Sequence, residues 1–161
     1  MRAYVKADPV ALVYSGVDRD SRYLGYSAGL GGGLFRAYEG FAFALGVRLN
    51  YGFLRELGQA SSPFAHFLHA GPELRLGKAG ERAFGFFLLR GGYTHWADSI
   101  SFRESVSPGA LPGGHLGVGG GAWGRAARRL LAGGEAAVDI HFILGVPVPM
   151  LNVSLSLGAW L

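Results

Sequence analysis

From Phe41 the chain reads Phe-Ala-Phe-Ala-Leu-Gly-Val-Arg-Leu-Asn-Tyr-Gly-Phe, ending at Phe53. Every odd position is large and apolar, and every even position is small or polar. Successive side chains of a β-strand point to opposite faces, so a period of two gives one face a continuous apolar stripe. The other face is Ala42, Ala44, Gly46, Arg48, Asn50 and Gly52, not the Lys, Glu and Thr of a strand that faces water. The run is also longer than the usual strand of about five or six residues. A tilted strand of about nine to eleven residues or more, apolar on one face and small or polar on the other, marks a transmembrane β-barrel.

The same alternation predicts eight strands, over residues 3–15, 22–36, 41–54, 64–77, 83–96, 113–124, 132–145 and 151–161, in one domain spanning 1–161. The first is expected to bulge near Pro9, because proline cannot donate to a ladder; its pattern leaves open which face is apolar. In the fourth, Leu68, Ala70, Pro72, Leu74 and Leu76 oppose His69, Gly71, Glu73 and Arg75. In the fifth, Phe84, Phe86 and Phe87 crowd together; setting Phe87, Leu89, Gly91 and Tyr93 outward turns Arg90 inward. In the sixth, Leu116, Val118 and Ala122 oppose His115, Gly117, Gly119 and Gly121. In the seventh, Ala136, Val138, Ile140, Phe142 and Leu144 oppose Glu135, Ala137, Asp139 and His141.

Connections 37–40, 77–82 and 125–130 are short, whereas 16–21, 55–63 and 97–112 are longer. Membrane barrels have short periplasmic turns and long external loops, so the chain ends and short turns are expected on the periplasmic side. Val146-Pro147-Val148-Pro149 is read as the seventh connection. Aromatic belts are expected from Tyr38, Phe41, Trp123 and Trp160 at the turn end and from Tyr51, Phe53, Tyr93 and Trp96 at the loop end.

Composition fits this picture. Of 161 residues 28 are Gly, and only 16% are charged, against about a quarter in ordinary soluble domains. Mean hydropathy is +0.25, yet no apolar stretch reaches the about eighteen residues of a membrane-spanning helix. Net charge is +4, but the basic residues are dispersed and form no stripe with interleaved aromatics, which argues against nucleic acid. There is no Cys, hence no disulfide and no thiolate chemistry. The start, Met1 to Asp8, lacks the apolar core of a signal peptide. An exported barrel needs one, so a mature form is expected.

Size decides which face meets lipid. An eight-stranded barrel has a lumen just wide enough for side chains to fill. The Phe, Leu, Val and Tyr of the apolar face are too many for it, whereas Gly, Ala and Ser leave room for a few charges to cross and pair. The lipid-facing set therefore includes Phe41, Phe43, Leu45, Val47 and Leu49 of the third strand and Val138, Ile140 and Phe142 of the seventh.

In this pattern the whole chain resembles the small eight-stranded outer-membrane barrels of Gram-negative bacteria, the class of the OmpA transmembrane domain and OmpX. The resemblance implies an outer-membrane location and contact with outer-membrane lipids and lipopolysaccharide. It also implies recognition of residues 151–161 by the barrel assembly machinery. That segment alternates as the class's terminal signal does, but its aromatic, Trp160, is penultimate and Leu161 closes the chain.

The inward face carries Arg48, Glu73, Arg75, Arg90, Glu135 and Asp139, with His69, His115 and His141 nearby. An unpaired buried ion costs several kcal/mol, so a network of paired lumen charges is expected, with no catalytic residue, cofactor or metal. His66, His69 and Glu73 have the spacing of a helical zinc site, but on a strand His66 and His69 point to opposite faces. Asp139 and His141 share a face, and Ser154 or Ser156 on the next strand would complete a Ser-His-acid set. The lipid A deacylases that use such sets turn them toward lipid, with His and Ser two apart on one strand, an arrangement absent here. Gly119-Gly120-Gly121-Ala122-Trp123-Gly124 matches a dinucleotide-binding pattern without the βαβ unit that gives it meaning. The expected function is an anchoring, structural or interaction barrel with a narrow or plugged lumen. A lipid-modifying enzyme and a small pore are the alternatives.

Overall fold

A computed structural model describes residues 1–16, 22–58, 64–97, 111–143 and 145–161. They form eight strands: β1 (Arg2–Gly16), β2 (Arg22–Tyr38), β3 (Phe41–Glu56), β4 (Ala65–Ala79), β5 (Ala83–Ala97), β6 (Leu111–Arg125), β7 (Leu130–Ile143) and β8 (Val146–Trp160). Each pairs antiparallel with the next, and β1 pairs with β8 to close the barrel. Closure leaves no strand edge along the wall, which is what lets a sheet sit in lipid. Strands run from 14 residues in β7 to 17 in β2, enough to cross a bilayer at a tilt and project beyond it.

The turns at one end are tight. Glu39 and Gly40 both have positive φ, 41° and 88°, the backbone of a type I′ hairpin whose twist matches the flanking strands. Residues 80–82 and 126–129 make the other two turns at this end, beside both chain termini. At the other end the expected long connections leave 17–21, 59–63 and 98–110 outside the described residues, and Leu144 lies outside them too.

In β1 the register shifts between Asp8 and Ala11 against β2, and between Ala7 and Val10 against β8. This is the bulge expected at Pro9, and it settles the open face. One extra residue reverses the parity of everything beyond it. Tyr4, Lys6 and Asp8 point inward before the bulge, and Ala11, Val13 and Ser15 after it. Val5, Val10, Leu12 and Tyr14 face outward.

Two expectations are corrected. Val146 to Pro149 are not a connection but the first residues of β8, paired with Ile143 to Ile140. Among the described residues the β1 ladder stops at Met150, so this stretch has a partner on one side only, where a sheet tolerates proline. The connection is thereby shorter than expected, with φ +80° at Gly145. The second correction concerns tryptophan. Trp96 and Trp123 are buried inside the barrel, and Trp160 packs with the interior cluster. The strand parity that turns Phe84 and Phe86 inward does the same for the indoles, which cap the lumen. Tyr38, Phe41, Tyr51, Phe53 and Tyr93 are at outward positions near the strand ends.

Candidate functional site: the filled lumen

The lumen is packed in layers. At the turn end Tyr4, Phe84, Phe86, Leu88, Trp123 and Leu131 form an apolar floor, with Phe35 and Trp160 against it. The Tyr4 ring meets Trp123 edge-on at 5.3 Å, and Phe35 meets Trp160 at 5.0 Å. At the loop end Val13, Leu54, Phe67, Trp96, Ile143, Val148 and Met150 form a second apolar cluster. Between them lies the polar middle of the barrel.

The middle layer holds four cations and four carboxylates, all buried: Lys6, Arg48, Arg75 and Arg90 with Asp8, Glu73, Glu135 and Asp139. Glu135 is the hub. Its oxygens lie 3.6 Å from Lys6 Nζ, 2.8 Å from Arg48 Nη1, 2.7 Å from Arg75 Nη2 and 3.4 Å from Arg90 Nη1. Glu73 takes a two-pronged contact from Arg75, with Nη2 donating at 3.0 Å, and Asp139 takes one from Arg90, with Nε donating at 2.7 Å. Asp8 lies 2.9 Å from Lys6 and 3.0 Å from Arg48, and accepts from Ser156 Oγ at 2.5 Å. Forked contacts between guanidinium and carboxylate are the strong, directional kind. The Arg75 guanidinium also sits 4.6 Å above the Trp123 ring, joining the charge layer to the floor.

The small inward residues make this possible. A Cβ on Gly117 would lie 2.0 Å from Asp139 Oδ1 and 3.1 Å from Arg90 Cγ. The missing side chain is the space that this ion pair fills.

Above the charges His69, His115 and His141, from β4, β6 and β7, stack with ring centroids 4.7 to 5.7 Å apart and planes within 22°. His141 Nδ1 pairs with Thr94 Oγ1 at 3.1 Å. Near-parallel rings do not aim their nitrogens at one point. Among the described residues no His, Asp or Glu group is placed to hold a metal ion.

Every sequence-predicted lumen residue thus lies in one connected interior: Arg48, Glu73, Arg75, Arg90, Glu135 and Asp139 in the ion network, His141 in the layer above. Lys6 and Asp8 were not foreseen. Their signal is the apolar phase of β1, odd at Val5 and even at Val10, Leu12 and Tyr14, which reverses at the Pro9 bulge. The possible Ser-His-acid set does not assemble. Asp139 is held by Arg90, His141 by Thr94, and Ser156 by Asp8, while Ser154 lies opposite Glu135, not His141, and bonds to neither His141 nor Asp139. The described serines, Ser15, Ser27, Ser154 and Ser156, are all buried inside.

Outside, Phe41, Leu45, Val47, Leu49, Val138, Ile140 and Phe142 are exposed on the barrel wall, Val47 at 64%, and Phe43 is half-buried among them. An apolar groove of about 660 Å³ crosses this wall over Pro72, Gly91 and Gly92, flanked by Leu45, Leu116 and Ile140. His66 also points outward, with Nδ1 2.8 Å from the Tyr51 hydroxyl, on the face opposite His69.

No protein-family model matches the sequence, and no curated protein matches it significantly. Solved structures do match in fold. Neisserial surface protein A, NspA, aligns over 98% of this chain and 96% of its own, with a TM-score of 0.71 at 14% identity. The N-terminal β-barrel domain of Pseudomonas aeruginosa OprF aligns over 97% and 96%, with a TM-score of 0.54 at 13% identity. Ail, the attachment invasion locus protein of Yersinia pestis, in complex with the heparin analogue sucrose octasulfate, aligns over 99% of both chains, with a TM-score of 0.54 at 14% identity. At these identities the likeness is one of fold: the eight-stranded barrel over the full chain.

Proposed function

We propose that this chain is a bacterial outer-membrane barrel with a sealed lumen, serving as an anchor or interaction platform in the membrane and not as a channel. The observation that carries the reading is the filled interior. A formally neutral layer of eight charges lies between two apolar clusters, which supports a barrel axis without a continuous water path. The exposed apolar wall suits hydrocarbon and not water. Exposed Leu, Val, Ile, Phe and Tyr on the outer face of β1–β3 and β5–β8 cover far more area than the apolar patches that soluble proteins carry. The fold likeness to NspA, OprF and Ail points the same way.

Lipopolysaccharide and the other outer-membrane lipids are the first partners in this reading. The groove over Pro72 and Gly91 has the apolar lining that an acyl chain requires. Residues 151–161 act as the segment read by the barrel assembly machinery, with Leu151, Val153, Leu155 and Leu157 on the outward face.

The test is reconstitution. The chain, refolded into phospholipid vesicles with and without lipopolysaccharide, should become protease-resistant. It should also run faster on gels unheated than boiled. A monodisperse, fully folded monomer in buffer without detergent would refute the membrane reading.

A further inference from the structure

The barrel's net charge sits at one end. The interior layer is balanced, whereas the turn end carries Arg2, Arg36, Lys78, Arg82, Arg125, Arg128 and Arg129 against only Glu39 and Glu81. A cavity of about 460 Å³ opens there, within the size range of small-molecule sites. Its rim includes Arg2, Arg82 and Arg125, with Glu81 the one carboxylate. Arg125 N donates to Arg82 O at 2.7 Å, which sets these two residues side by side. Arg36 is also on the rim, but its guanidinium is taken by Tyr38, donating to the hydroxyl at 2.6 Å. Among the described residues Arg2, Arg82 and Arg125 make no ion pair.

The floor of this cavity is aromatic: Phe35, Phe84, Trp123 and Trp160. The Trp123 side chain is only 4% exposed, and its indole N–H has no acceptor among the described residues. The Trp160 indole N–H has none either. A rim of arginines without ion pairs over an aromatic floor points to a ligand with an anionic head and an apolar body.

We propose that this vestibule binds a small organic anion of the phosphate class, its charged head held by Arg2, Arg82 and Arg125 and its apolar body laid on the aromatic floor. Guanidinium groups match phosphate oxygens in forked geometry, and the rings receive a flat or aliphatic body by stacking and burial. The head could belong to a free solute or to an anionic phospholipid of the adjacent leaflet; the chemistry recognised is the same.

Tryptophan emission reads the site directly. Of the three tryptophans in the chain, Trp123 and Trp160 line it, and Trp96 lies in the opposite cluster. The folded protein in neutral detergent at low salt is titrated with phenyl phosphate, following emission and, independently, isothermal calorimetry. A saturable response is expected. It should weaken at least about tenfold in Arg82→Gln/Arg125→Gln, whose exposed rim positions leave the fold intact, and weaken with added salt. Benzyl alcohol, which has the body without the charge, should not bind. No saturable response in either readout, or equal affinity in the double variant, overturns the proposal. Repeating the titration in phosphatidylcholine vesicles with and without phosphatidylglycerol separates the sources. Loss of phenyl phosphate binding with phosphatidylglycerol assigns the site to a lipid head, and retention assigns it to a free solute.

Discussion

Glu135→Gln removes one charge and little volume from the centre of the lumen. In the native barrel all four buried cations lie within 3.6 Å of Glu135. Without its charge, four cations face three carboxylates in a buried layer between two apolar clusters. Removing one partner of a buried ion pair costs about 3–5 kcal/mol, because the remaining charge stays buried and uncompensated. At about 1.4 kcal/mol per decade, the folding constant should fall by roughly two to three and a half decades. Urea unfolding in lipid vesicles, followed by tryptophan emission and by loss of the fast-migrating gel band, measures this. The double variant Glu135→Gln/Arg48→Gln restores the balance, since Asp8 keeps Lys6 at 2.9 Å. It should therefore be less destabilised than the sum of the two single changes. If Glu135→Gln costs under about 1 kcal/mol, in the range of a solvated surface pair, the lumen charges are hydrated and the sealed-interior reasoning fails.

Val47→Arg puts a charge on the outward wall midway along β3 and should cost about 2–4 kcal/mol in vesicle refolding, whereas Ala44→Ser, on the inward face, should cost far less. Equal costs would mean that the faces are inverted. Gly117→Leu drives a side chain into the Arg90–Asp139 pair and should cost about 3 kcal/mol, measured in the same urea assay; a neutral result would show that the pair has room to move. The three inward tryptophans should lose little emission to brominated phospholipids in the bilayer, and strong quenching would return them to the lipid interface.

Period-two alternation carries most of this fold. Strands such as β3 and β7 show their faces residue by residue, because a closed barrel wall separates outside from lumen at every position. Glu73, Arg75, Glu135 and Asp139 were legible as lumen charges for the same reason. What the pattern could not carry depends on contacts made after closure. The face of β1 hangs on one extra residue at Pro9, and with it the presence of Lys6 and Asp8 in the network. The tryptophans look like belt residues because indoles favour interfaces, and only the register assigns Trp96 and Trp123 to the inside. Val146 to Pro149 read as a turn because two prolines suggest one; pairing on a single side removes the conflict. The rim arginines are scattered through the sequence at positions 2, 82 and 125, and become neighbours only when the turns meet at one mouth.

The sealed lumen is tested most directly by single-channel recording of the unmodified chain in planar lipid bilayers. Balanced charges between two apolar clusters predict a baseline without stable steps. A large, stable, voltage-independent conductance would contradict the account and make the protein a pore.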